Sequence, residues 1–106
     1  MKIFLEEVRR KANNKILFLP HAISQMNLPQ RLISPQEVHG VIFEGEIIED
    51  YPEDARGHSC LMAHFIKESN RMVHVVCAPK DEYLAIISAY IPSLSKWEKD
   101  LKTRKR

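Results

Sequence analysis

SCLMAHFIKESNRMVHVVCA, residues 59–78, is the stretch whose reading decides this fold. Two apolar runs of strand-like composition flank the polar segment Lys67-Glu68-Ser69-Asn70, so the stretch reads as a hairpin of two antiparallel strands. Side chains alternate faces along a strand. In the second run Val73, Val75 and Cys77 form an apolar set, leaving Met72, His74 and Val76 on the other side. In the first, Leu61, Ala63 and Phe65 oppose Cys60, Met62, His64 and Ile66. A two-residue loop sets His64 opposite Val75 and mixes the faces. A three-residue loop, with Asn70 in the left-handed conformation, pairs Lys67 with Arg71 and His64 with His74. Face consistency favours the latter, so His64 and His74 are expected as cross-strand neighbours, roughly 5 Å apart at Cβ.

Working outward, Tyr83 to Ile91 reads as a further strand, closed by Pro92. Its wholly apolar set Ala85, Ile87, Ala89 and Ile91 is expected to face the helices, which puts Ser88 and Tyr90 on the open face with His74. Glu46 to Tyr51 is another strand candidate. Upstream the period changes. Ser34-Pro35-Gln36-Glu37 supplies an N-cap serine, a proline at the first helical position and a glutamate three residues after the cap. Val38, Val41 and Ile42 follow at helical spacing, and Gly45 marks the end, giving a helix over 35–44. Residues 2–13 carry Leu5, Val8 and Ala12 on one stripe and read as an amphipathic helix, not a signal peptide. Ile16 to Leu19 is a short strand or an extended connection, and a short helix follows from about His21 to Asn27. After Pro92, Ser93 opens a short basic helix carrying Trp97 and Leu101.

These elements predict an α+β fold: N-terminal helices packed on one face of a roughly four-stranded antiparallel meander, with a short C-terminal helix. At 106 residues the chain reads as a single domain over 1–106, with its core at about 16–100 and a basic tail at 101–106. Apolar runs reach only four or five residues, so no membrane-spanning segment is expected, and the expected compartment is the cytoplasm. In that compartment Cys60 and Cys77 are expected as free buried thiols. The net charge is +2 but unevenly spread. Lys96, Lys99, Lys102, Arg104, Lys105 and Arg106 crowd the C-terminal end, whereas residues 44–54 carry six acidic side chains and no basic one. An anionic partner is drawn to the first and repelled by the second.

A sheet face with His64, His74, Ser88 and Tyr90 beside a basic tail suits metal-independent RNA scission. That reaction needs a base for the 2′-hydroxyl, cations for the phosphate and an acid for the departing 5′-oxygen. The competing reading is two histidines that merely stack and hydrogen-bond on a half-exposed sheet. A zinc site through His58, Cys60, His64 and His74 is disfavoured, because Cys60 and His64 lie about 13 Å apart along one strand. Serine-hydrolase chemistry lacks its Gly-x-Ser-x-Gly turn, and Gly40, Gly45 and Gly57 are too scattered for a phosphate loop. His21, in Leu19-Pro20-His21-Ala22, is either a reactive group held where a strand becomes a helix or an ordinary helix-start residue.

Five short words in order, His21-Ala22, Arg31-Leu32-Ile33-Ser34, Gly45 to Pro52, Met72 to Val76, and Ile87 to Pro92 with Trp97, resemble a bacterial family of small uncharacterised proteins. The likeness runs over about 16–100. That family is similar to RelE/MqsR-type toxins of the barnase–EndoU–colicin–RelE superfamily. The resemblance implies a toxin–antitoxin setting, RNA as substrate (free or on the ribosome) and a cognate antitoxin, often of zinc-finger type, with no cofactor or metal. Taken together with the polar stripe on the sheet face, it points to His21, His74 and Tyr90 for catalysis and to Arg31, Ser88 and Lys96 for the substrate; His64 joins them on the register alone. Two departures stand out: Gln25 where family members often carry arginine, and Ser88 where they usually carry threonine. The alternative from another class is a non-catalytic protein- or RNA-binding module of the same fold.

Overall fold

In the computed structural model, which describes residues 2–106, three helices precede four of the five strands. They are α1 (Lys2–Asn14), β1 (Ile16–Phe18), α2 (Pro20–Met26), α3 (Pro35–Glu44), β2 (Glu46–Tyr51), β3 (Ser59–Ile66), β4 (Arg71–Pro79) and β5 (Leu84–Tyr90). The fold is α+β, as expected, but the sheet is mixed and has five strands in the order β1-β5-β4-β3-β2. The antiparallel meander runs through β2 to β5, and β1 adds a parallel edge by pairing Ile16, Leu17 and Phe18 with Leu84, Ala85 and Ile86.

The helices form where the sequence supplies caps and apolar stripes. Ser34 and Glu37 make a reciprocal capping box at the start of α3, with Pro35 at its first position. Val38, Val41 and Ile42 are then fully buried, each contributing roughly 1.5–3 kcal/mol of burial. The helix stops at Gly45 for a reason other than the left-handed turn that glycine usually supplies. Its backbone is extended (φ −89°), but a Cβ there would lie 2.5 Å from the carbonyl oxygens of both Ala63 and Val41. Glycine is needed because α3 turns into β2 hard against β3. Glu37 extends its capping role by pairing with Arg71 (2.8 Å), and Arg71 also donates to the Arg31 carbonyl, tying the α2–α3 loop to the start of β4.

Two registers differ from expectation, and each difference is one residue. The β3–β4 loop is four residues long, closed by Ile66 opposite Arg71; Asn70 does take the left-handed conformation (φ 55°). His64 therefore pairs with Val73, and His74 with Ala63, so the two histidines lie on opposite faces. The extra loop residue keeps Cys60, Met62 and Ile66 in the helix-facing core with Val73, Val75 and Cys77. In β5 the register slips at Ile87: Ser88 sits opposite Val76 and Ile86 opposite Cys77. Leu84, Ile86 and Ala89 thus face the helices, while Ala85 and Ile87 do not join that core. A bulge lets both halves of the strand bury apolar residues without turning Tyr90 inward. Cys60 and Cys77 face each other across β3 and β4, buried and free, with sulfurs 3.8 Å apart.

No C-terminal helix forms over the basic segment. Asp100 accepts hydrogen bonds from the backbone N–H groups of Lys102 and Thr103, and Leu101 is left-handed (φ 57°), so the backbone turns back instead of winding on. The segment doubles over, Trp97 bridging to Arg104, and lies as a strap across the sheet face that was expected to be open. Trp97 is buried there. His74 donates from Nε2 to the Leu101 carbonyl (2.7 Å), and Lys102 and Arg104 pair with Glu46 and Glu49 of β2. No helix among the described residues is long and apolar enough to cross a membrane.

Candidate anion-binding cleft

Past the end of β1, α2 takes over the flank of β5, bonded through Leu19 N–H to the Ile86 carbonyl. Between that flank, the end of β5 and the strap is a cleft of about 370 Å³. Gln25 and Arg31 line it from the α2 side, Tyr90 from β5, and Ser93, Lys96 and Arg104 from the strap. Three cations thus converge, and among the described residues only Arg104 has a carboxylate partner, Glu49, at 3.1 and 3.0 Å. Arg31 makes one long contact, Nη1 to the Ala89 carbonyl at 3.5 Å. Lys96 is exposed and has no ion-pair partner among the described residues. A cleft with this imbalance attracts anions.

Tyr90 connects the cleft to a buried histidine. Its hydroxyl lies 3.3 Å from Nδ1 of His74, and because Nε2 must donate to the Leu101 carbonyl, Nδ1 is the acceptor for the phenol proton. His74 has no exposed surface and packs edge-on against Trp97, with ring centres 4.6 Å apart. Burial pushes its pKa below the ordinary value, against the opposing pull of the Leu101 carbonyl. Burial likewise pushes the Tyr90 hydroxyl upward, so near neutrality the pair is a neutral imidazole accepting from an intact phenol.

Four of the seven expected site residues therefore gather: Arg31, Tyr90 and Lys96 on the cleft and His74 behind it. Ser88 stands one step back, its hydroxyl donating to Gln25 Oε1 at 2.6 Å. His64 does not join. It lies on the helix-facing side, 3.6 Å from Glu44, in a separate cleft with His39, Gly40, Phe65 and Lys67. His21 is exposed in the first turn of α2, whose N-cap is Leu19, and it neither lines the cleft nor makes a side-chain hydrogen bond among the described residues. Gln25, the position where the resemblance expects an arginine, lines the site, and Glu49 and Arg104 belong to it without any sequence signal that singles them out. The basic C-terminal run was the available signal for Arg104, but nothing in its spacing says which of six cations turns inward. Among the described residues no group of three or more His, Cys, Asp or Glu could hold a metal ion.

No curated protein and no solved structure matches this chain. A family model does, over residues 18–91, a span that takes in α2, Arg31, His74 and Tyr90 but stops before the strap that supplies Lys96 and Arg104. Its description is a domain of unknown function, DUF4258, and with most of its length matched this chain belongs to the DUF4258 family.

Proposed function

We propose that the cleft binds the phosphodiester backbone of RNA and that the protein is a toxin-like, metal-independent endoribonuclease of the RelE/MqsR kind, acting in the cytoplasm and held in check by a cognate antitoxin. The observation that carries this reading is the convergence of Arg31, Lys96 and Arg104 on a tyrosine hydroxyl backed by a buried neutral histidine. In the proposed reaction Arg31 and Lys96 bind the phosphate. The 2′-hydroxyl passes its proton to Tyr90 as the phenol proton moves to Nδ1 of His74, whose Nε2–H stays on the Leu101 carbonyl. The 2′-oxygen bonds to phosphorus, the bond to the 5′-oxygen breaks, and the ammonium of Lys96 protonates the leaving oxygen. The products are a 2′,3′-cyclic phosphate and a 5′-hydroxyl; Nδ1 of His74 then returns its proton to Tyr90, which releases its own to solvent, and Lys96 regains a proton from solvent.

A second reading, RNA binding without cleavage, has its own supporting observation: both nitrogens of His74 are engaged and neither touches the cleft. Incubating the purified protein with RNA, with and without ribosomes, and mapping the new 5′-ends separates the two. Cleavage lost in Tyr90→Phe supports the enzyme. Binding without cleavage under both conditions supports the module, and neither binding nor growth arrest on induction refutes both.

A further inference from the structure

Arg104 lies beyond the residues matched by the family model, on a strap with no regular secondary structure, yet its guanidinium is held by both a carboxylate and an aromatic ring. Nε and Nη2 donate to the two oxygens of Glu49, and the guanidinium sits over the Trp97 ring, 4.5 Å from its centre. Glu49 is itself fixed, since it also accepts the Tyr51 hydroxyl. Arginine carries five N–H donors in a planar fork. Glu49 occupies the side edge of that fork, with the Tyr51 hydroxyl also beside the guanidinium, and Nη1 makes no hydrogen bond among the described residues, although Arg104 lines the same cleft as Arg31 and Lys96. A clasp that only fastened the strap would need a cation at this point, and lysine does that job at the neighbouring pair, Lys102 with Glu46. A guanidinium gripped on one edge and open on the other is the arrangement that presents a bidentate donor pair to a phosphate.

We propose that Arg104 is a third phosphate-contacting residue, pre-set by Glu49 and Trp97, so that the strap builds one wall of the RNA site and is not merely a cover for the sheet. This rests on the reading that the cleft takes RNA phosphate. Glu49 is then a positioning residue: it holds the fork at a fixed angle and keeps Arg104 from swinging out to solvent.

The test titrates a short, 5′-labelled single-stranded RNA with the full chain at several salt concentrations, comparing wild type, Arg31→Ala, Arg104→Gln and Arg104→Lys. Removing a charge-assisted contact in Arg104→Gln lowers affinity roughly ten- to a hundredfold. It also flattens the slope of log affinity against log salt by about 0.7, one phosphate contact fewer on a single strand. Arg104→Lys retains the slope but still binds several-fold more weakly, because the fork is lost. Trp97 fluorescence reports whether the strap stays docked, and if Arg104→Gln does not fold, the lysine variant decides. Arg31→Ala weakening binding while both Arg104 variants match wild type in slope and affinity would leave the RNA reading standing and make Arg104 a clasp. A wild type that binds no RNA overturns both.

Discussion

Replacing His74 with phenylalanine separates what the histidine holds together from what it does to Tyr90. A slightly larger flat ring takes the place of the imidazole and keeps the edge-on contact with Trp97, but both hydrogen bonds go. The Leu101 carbonyl loses the donor at 2.7 Å beneath the strap, costing ~1–3 kcal/mol. The Tyr90 hydroxyl faces the cleft, where water replaces the lost acceptor, so its share is only ~0.5 kcal/mol. Burying a more apolar ring returns about 1 kcal/mol. The net expectation is ~0.5–2.5 kcal/mol of destabilisation. Trp97, the single tryptophan, reports it in a urea titration as a midpoint lowered by roughly 1 M. Cleavage should fall much further, by roughly 10²–10⁴, because the phenol then has nothing to take its proton.

The same variant changes the pH dependence of stability. The folded pKa of His74 lies below its ordinary value of 6.5, so in the window between the two the unfolded chain binds more protons than the folded one. The wild type is therefore fully stabilised by this group above pH 6.5 and loses that contribution as the pH falls through the folded pKa. His74→Phe should lack this component of the slope. A variant that cleaves RNA within threefold of wild type while showing the expected loss of stability would refute the relay and leave His74 a structural residue. A variant as stable as wild type would refute the hydrogen-bond reasoning itself.

Gly45→Ala should cost ~3 kcal/mol, since its methyl group meets two backbone carbonyls at 2.5 Å, and thermal unfolding checks it; a small effect would mean the α3–β2 junction yields easily. Glu37 has its carboxyl held down to about 2: burial opposes this, but the Arg71 guanidinium, the Ser69 hydroxyl and the Ser34 N–H together outweigh it. Stability worth ~1–3 kcal/mol should then be present above pH 4.5 and lost as the pH falls towards 2, a loss that Glu37→Gln abolishes in acid-unfolding curves. His21→Ala and His64→Ala should leave RNA cleavage unchanged, because neither side chain lines the cleft, and His21→Ala should shift stability by less than about 0.5 kcal/mol. A cleavage rate lost in either would put that histidine back in the reaction.

The elements that were legible in the sequence carry their own local signals. α3 has its capping box and proline, and β2 and β3 begin at the switch from helical to alternating spacing. β1 reads from sequence as either a strand or a connection, because three residues show no period, and pairing with β5 makes them a strand. The strap reads from sequence as a helix because Trp97 and Leu101 are four apart and mimic a helical stripe. Asp100, which diverts the backbone, reads from sequence as one more charge in a charged run. Of the site, Arg31, Tyr90 and Lys96 were recognisable as residues, but their meeting depends on how α2 and the strap fold over the end of β5.

The registers show why the chemistry is harder to read than the elements. In a strand one extra residue moves every later side chain to the other face. Along Leu84-Ala85-Ile86-Ile87 every residue is apolar, so no alternation reveals that Ile87 is the extra one. Yet that bulge, by letting Leu84 and Ile86 face the helices first and Ala89 afterwards, is what leaves Ser88 and Tyr90 on the His74 side. A second slip, between Ile47 and Glu49 in β2, sets Glu49 opposite Leu61, on the same face as His74, where it meets Arg104. Without the first, Tyr90 would point into the helix-facing core; without the second, Arg104 would lose its anchor. The two irregularities least visible in the sequence are thus the ones that assemble the cleft, in keeping with bulges serving to re-aim side chains beside functional sites.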